Sequence, residues 1–143
     1  MKVRIKNLIE QRRKLREHFK KEGLIELEDK EITSIDKKFL QKAVEIINKN
    51  LSDTSFSVEM FAEEVSMSRR NLDRKLVALT GEAPRDLIRR VRLMHAAKLI
   101  TQNFGNISEI ALEVGFSNPA YFSKCFRAQF GLTPSEYETN HSL

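Results

Sequence analysis

The chain has 143 residues, with 25 Lys and Arg against 20 Asp and Glu and a formal net charge of +5. That length suits one compact domain or two small helical subdomains; 41 % apolar residues can build a core, and three Pro with five Gly argue against a loop-rich fold. No apolar run reaches the roughly 18 residues needed to cross a bilayer, no charged-then-apolar leader precedes a cleavage site, and a lone Cys125 fits a reducing compartment, so the expectation is a cytoplasmic segment without membrane contact.

Residues 1–34 read as a charged N-terminal helix and linker. Ile5, Leu8, Leu15 and Phe19 fall near a/d spacing, but Arg12 interrupts it, and a coiled coil sustains about three or four heptads. A charged connecting helix is the preferred reading, with residues 22–33 loose or extended. Thr33 or Ser34 then caps a helix whose Phe39, Leu40, Ala43, Val44 and Ile47 share one face.

From residue 57 the chain says the same thing twice. Ser57 is placed to cap a short helix with Val58, Phe61, Ala62 and Val65 on one face. Ser66–Met67 breaks the pattern, and Ser68 caps a second helix burying Leu72, Leu76 and Leu79. The second copy opens with Asn106 and Glu109 at capping-box spacing, followed by Ile107, Ile110, Ala111 and Val114. Gly115–Phe116 makes its turn, Pro119 suits the first turn of the next helix, and Phe122, Phe126 and Phe130 face inward. Ala62 aligns with Ala111 and Ser68 with Ser117; after one extra residue near Asn118–Pro119, Leu72 aligns with Phe122, Gly81 with Gly131 and Pro84 with Pro134. Two helices joined by a tight turn around a small alanine describe a helix-turn-helix. The turn wants a left-handed residue, which suits Gly115; Ser66 in the first copy adopts it at a cost of roughly 1–2 kcal/mol.

Between the copies, residues 83–101 read as one helix with Leu87, Val91, Met94, Leu99 and Ile100 available for burial. About 19 residues at 1.5 Å each make roughly 28 Å, near the ~34 Å that separates successive major-groove faces of B-DNA. The expected architecture is therefore all-α: a first helix-turn-helix over about 57–80, a linker helix over about 83–101 and a second helix-turn-helix over about 107–131, within a domain of residues 35–143.

Charge divides unevenly along this plan. Residues 68–104 carry nine Lys/Arg against three acids, a local +6, whereas residues 36–67 and 105–143 are each at −2 and residues 1–35 at +3. The positive charge gathers on the second helix of the first copy and on the linker, where phosphate contacts would be wanted.

Three runs carry a resemblance: A-x-x-V-x-M-S-x-x-x-L at 62–72, P-R-D-L-I-R-R-V-R-L-M-H-A-A-K-L-I at 84–100, and I-A-L-E-V-G-F-S-N-P-A-Y-F-S-K-C-F-R-A-Q-F-G-L-T-P-S-E-Y at 110–137. From about residue 38 to 138 the chain resembles the DNA-binding domain of the arabinose-operon regulator (AraC/XylS) family of bacterial transcription factors. The resemblance implies about seven helices in two subdomains and sequence-specific binding of double-stranded DNA that activates or represses transcription. It also admits RNA polymerase as a partner and a homodimer formed through residues outside the domain. Leu87 departs from an aromatic common there, and Glu138 from a basic residue that often follows the tyrosine, which bears on a phosphate contact. The stretch R-I-K-N-L-I-E-Q-R-R-K-L-R-E at 4–17 looks like the segment after a receiver domain in hybrid two-component regulators, which would make the chain the effector end of a larger sensor.

With Leu72, Leu76 and Leu79 committed inward, Arg70, Asp73, Arg74 and Val77 project from the other side of the first recognition helix. Arg70 and Arg74 can fork onto guanine O6 and N7 and Asp73 can accept from cytosine N4, or Asp73 pairs with a neighbouring arginine. Arg69 and Asn71 flank this face near phosphate. On the second helix the outward candidates are Asn118, Ala120, Tyr121 and Lys124, with Ser117 and Ser123 beside them; Ala120 can meet a thymine methyl, and Tyr121 either touches the backbone or packs beside Phe122. Arg89 and Arg92 of the linker join the DNA-contact candidates, with Arg92 alternatively an internal strut paired with an acid of the first subdomain.

His18, His95 and His141 are too scattered for a metal site. Cys125 reads as a buried thiol without the basic neighbours a nucleophile wants. No Gly-rich phosphate loop appears, so neither an enzyme nor a cofactor is expected. The competing reading is a helical protein-interaction module that has lost DNA readout, and the +6 segment argues against it.

Overall fold

The computed structural model describes residues 33–141 of the chain. The charged helix and linker expected over residues 1–34 therefore fall almost wholly outside the described residues.

Seven α-helices and no strands occupy the described residues. The first, α1 (Ser34–Lys49), starts where the Thr33 hydroxyl accepts from the Asp36 N–H at 3.1 Å and the Thr33 carbonyl from the Lys37 N–H at 3.0 Å. Its apolar stripe buries Leu40, Ala43, Val44, Ile46 and Ile47. Two short-then-long helix pairs follow, α2 (Val58–Glu64) with α3 (Arg69–Thr80) and α5 (Ile107–Glu113) with α6 (Pro119–Phe130). Helix α4 (Pro84–Thr101) runs between the pairs, and α7 (Pro134–His141) closes the description.

The caps are those the sequence indicates. Ser57 accepts from the Met60 N–H at 3.2 Å and Ser68 from the Asn71 N–H at 3.1 Å. Asn106 and Glu109 exchange both bonds of a capping box. Each such oxygen satisfies a backbone donor that the helix itself leaves unpaired, worth about 1 kcal/mol.

Both tight turns are closed by the same pair of backbone bonds. In the first, Met67 N–H reaches the Ala62 carbonyl at 3.0 Å and Ser66 N–H the Glu63 carbonyl at 3.0 Å. In the second, Phe116 N–H reaches the Ala111 carbonyl at 2.8 Å and Gly115 N–H the Leu112 carbonyl at 3.0 Å. Such nested bonds need a left-handed residue after the helix. Ser66 has φ of 57° and Gly115 of 89°, as the two copies predict. Ala62 and Ala111 are buried, which lets the second helix of each pair approach the first.

The described residues divide into two compact units, one made of residues 33–47 and Ser57–Ile88, the other of Asn48–Phe56 and residues 89–141. In the first unit Leu40 and Ile47 of α1, Phe61 of α2, Leu72 and Leu76 of α3 and Leu87 of α4 are fully buried. The Lys75 ammonium lies 4.5 Å over the Phe39 ring, so α3 is also held to α1 by a cation–π contact.

In the second unit Leu93, Ala96, Ile100, Ile110, Ala111, Val114, Phe122 and Phe126 belong to one buried cluster. An aromatic chain continues it: Phe116 to Phe122 at 5.2 Å, Phe122 to Phe126 at 5.8 Å, and Phe126 to Phe130 at 4.5 Å and to Tyr137 at 5.3 Å. Each ring pair adds about 0.5–1.5 kcal/mol beyond the area it buries. Cys125 is half-buried against this cluster.

Candidate nucleic-acid interface

Helix α3 is split along its length. Leu72, Leu76 and Leu79 are 0 %, 0 % and 4 % exposed, whereas Arg70, Asn71, Asp73 and Arg74 are exposed and Val77 is 44 % exposed. The leucines at i, i+4 and i+7 fix the helix rotation, and that rotation alone turns Arg70, Asp73, Arg74 and Val77 to one outward strip. Arg69 is exposed as well, but its Nη1 donates to Glu59 Oε1 on α2, so its guanidinium already holds a carboxylate.

Helix α6 is built the same way. Phe122 and Phe126 are buried, and Ala120, Lys124 and Arg127 stand exposed with Ser123 half-buried beside them. Tyr121 is placed between solvent and the core, against Phe116 and not Phe122. It is 47 % exposed, and its ring lies 6.1 Å from that of Phe116. Asn118 is exposed, as an outward residue should be, and has a second role the sequence does not declare. It is the N-cap of α6, its Oδ1 accepting from the Ala120 N–H at 2.9 Å and the Tyr121 N–H at 3.1 Å. Pro119 at the first helical position displaces the capping role from Ser117, which aligns with Ser68, onto Asn118.

The linker arginines separate. Arg85 is exposed and Arg89 half-buried, whereas Arg90 and Arg92 are 8 % and 9 % exposed. Arg92 is therefore no surface contact. Its Nη1 donates to the Gly115 carbonyl at 3.0 Å and its Nη2 to the Asp53 carbonyl at 2.9 Å. The strut reading is nearer, but Arg92 bonds two backbone carbonyls of its own unit instead of an acid of the first subdomain. Burial lowers its pKa from the usual arginine value, and the Asp53 carboxylate opposes that shift. Asp53 in turn is held below the usual carboxylate range, chiefly by the Ser55 hydroxyl and backbone N–H and lastly by Arg92.

Arg127 is the outward residue the sequence reading passes over. In the repeat register it aligns with Val77, one turn beyond Lys124, so the duplication itself points to it. No cluster of His, Cys, Asp and Glu able to hold a metal occurs among the described residues, and no described helix is long and apolar enough to cross a membrane.

A helix-turn-helix domain family matches residues 61–140. The chain is 40 % identical over 140 residues to a histidine kinase, "Histidine kinase P4", of Formosa agariphila, covering 98 % of this chain and 10 % of that protein. Among solved structures it is similar to the DNA-binding domain of the global transcriptional factor AdpA in complex with a target DNA, at 31 % identity and a TM-score of 0.65 over 70 % of this chain and 89 % of that one. It is likewise similar to the C-terminal domain of AraT, a response regulator from Geobacillus stearothermophilus, at 27 % identity and a TM-score of 0.68 over 78 % and 88 % of the two chains. The chain spans only 10 % to 37 % of the lengths of the curated relatives it matches.

Proposed function

The chain belongs to the AraC-type family of helix-turn-helix transcription regulators, and we propose that its two units bind double-stranded DNA sequence-specifically by inserting α3 and α6 into the major groove. One observation carries this reading: the outward strip of α3, where Arg70 and Arg74 stand exposed above a row of buried leucines. An exposed guanidinium on a helix narrow enough for the major groove can fork onto guanine O6 and N7, and Asp73 between them can accept from cytosine N4. Asn71 and Arg69 lie toward the phosphates.

On α6, Ala120, Tyr121 and Lys124 take the corresponding places, and Asn118 serves there by capping the helix that presents them. A bidentate arginine contact is worth about 1–3 kcal/mol of discrimination, and phosphate contacts add affinity without preference. Of the linker arginines, Arg85 and Arg89 have the exposure for that second role.

The similarity to a histidine kinase along nearly the whole chain, and to a response regulator's C-terminal domain, supports a further step: the chain is the effector end of a signal-responsive, two-component type regulator in the cytoplasm. RNA polymerase and a second copy held through residues outside this domain are the partners such a regulator would use.

Selection of bound fragments from genomic DNA, followed by affinity measurement on the recovered site, tests the reading. A recovered motif is expected, and Arg74→Ala should relax preference at one base pair, costing roughly 1–3 kcal/mol there. An Arg74→Ala protein with undiminished preference at every position removes Arg74 from base reading, and absence of any recovered motif removes the function.

A further inference from the structure

The second copy of the repeat has to approach a polyanion with little positive charge of its own. Residues 105–143 hold four acids and only two bases, Lys124 and Arg127. Those two are not scattered. They stand three residues apart on one face of α6, both exposed. Together with Ser123, Ala128 and Thr133 they line an open concavity of about 590 Å³ where the outer side of α6 meets the start of α7.

We propose that this notch seats one phosphodiester of the DNA backbone, with Arg127 supplying the charge and the Ser123 hydroxyl a second donor. The proposal rests on the reading of α6 as a DNA-facing helix and adds to it a residue, Arg127, with a defined role. The wall of the notch is already rigid. The Thr133 hydroxyl accepts from the Glu136 N–H at 3.2 Å, and the Thr133 N–H donates to Glu136 Oε1 at 2.9 Å, closing the first turn of α7. Glu136 is thereby tied to Thr133, and its carboxylate, which also feels the Arg127 charge, is the group a phosphate would have to compete with there.

The duplication explains why the second copy needs such a seat. Arg127 aligns with Val77, which is 44 % exposed and apolar. The first copy can spend that position on an apolar contact because α3 itself carries four bases, Arg69, Arg70, Arg74 and Lys75, whereas α6 carries only Lys124 and Arg127. The second copy has no such reserve. A planar guanidinium also fixes the register of a phosphate better than an ammonium, since it offers two parallel donors.

The test compares the whole chain with Arg127→Ala on the recovered operator and on single-mismatch versions of it, across salt concentrations. The log–log slope of affinity against salt should be shallower by about 0.9 in the variant, so that its deficit shrinks roughly threefold between about 50 and 200 mM salt. Matched and mismatched sites should weaken by the same factor. Methylphosphonate placed at successive linkages should reveal one position that weakens the wild type but not Arg127→Ala, which identifies a backbone phosphodiester and not a free anion as the occupant. Arg127→Lys should keep the slope and lose part of the affinity. An unchanged slope overturns the proposal, and so does a lost preference confined to one base pair, which would make Arg127 a base reader. If the wild type itself binds all sequences alike, the reading of α6 fails first, and that is visible before any variant is made. Arg127 is exposed, and an unchanged urea midpoint verifies that the variant is folded.

Discussion

The guanidinium of Arg92 donates through Nη1 to the carbonyl of Gly115 at 3.0 Å, tying α4 to the tight turn between α5 and α6. The same side chain holds the Asp53 carbonyl at 2.9 Å through Nη2. A charged donor in a nearly closed site is worth more than an ordinary hydrogen bond, and its removal leaves both carbonyls and a cavity behind. Arg92→Ala should therefore destabilise the protein by about 2–4 kcal/mol, read as a lowered urea midpoint at unchanged slope. Because Arg92 is 9 % exposed, the salt dependence of DNA binding by the folded variant should match the wild type. A shallower salt dependence would return Arg92 to the DNA surface.

Gly115 and Gly131 have nearly the same backbone conformation, with φ of 89° and 78°, yet they should respond differently to substitution. A Cβ at Gly115 would lie 2.3 Å from the Leu51 carbonyl oxygen and 2.7 Å from Arg92 Cζ, whereas a Cβ at Gly131 meets nothing within 4 Å. Gly131→Ala carries only the left-handed strain, about 1–2 kcal/mol. Gly115→Ala adds a collision with backbone to that strain and should cost roughly 3–5 kcal/mol in total. Equal losses for the two variants, measured by denaturant titration, would refute the close approach at Gly115.

This contrast marks what the chain declares in one dimension and what it conceals. The caps Ser57, Ser68 and Asn106, the left-handed Ser66 and Gly115, and the inward leucines of α3 all follow from interactions spanning three to seven residues. Arg92 does not, because its partners lie 23 and 39 residues away and are backbone carbonyls, which leave no signature in residue type. On a linker helix rich in arginine it looks like its neighbours. Asn118 is intermediate: the inserted Pro119 hints at a shifted helix start, but which of Ser117 and Asn118 becomes the cap is decided by the backbone of the folded turn. Arg127 was legible all along through its alignment with Val77.

His95 on α4 gives the second unit a pH dependence of definite sign. Burial lowers its pKa from the ordinary 6.5, Lys98 lowers it further, and Glu113 opposes them. Below the unfolded-state value the unfolded chain binds the proton more readily than the native one, so stability rises with pH and falls as the medium is acidified. Between about pH 7 and 5 the wild type should lose stability that His95→Gln retains, measured as the difference in urea midpoint at each pH. The carboxylates held low by hydrogen bonds, Asp53 and Glu136, release their contribution only in more acidic solution. A parallel pH dependence of wild type and His95→Gln would show that the imidazole does not titrate between the two states.

Glu59 holds the guanidinium of Arg69, the residue proposed to meet phosphate beside α3. The pair bridges α2 and the first turn of α3, and its side chains are 60 % and 66 % exposed, so solvent screens most of the attraction and the contact contributes about 0–1 kcal/mol to folding. Its larger effect is on the ligand. A carboxylate beside the first turn of a helix that faces DNA would repel phosphate and compete for the Arg69 guanidinium. Glu59→Gln should leave the urea midpoint nearly unchanged while strengthening operator binding several-fold at low salt, with a salt dependence steeper by about 0.9 as Arg69 gains a phosphate. In an Arg69→Ala background the steepening should vanish, leaving only the smaller gain from the lost negative charge, and that non-additivity is what assigns the effect to the pair. Equal gains in both backgrounds would mean that Arg69 meets no phosphate and that Glu59 acts on the DNA directly.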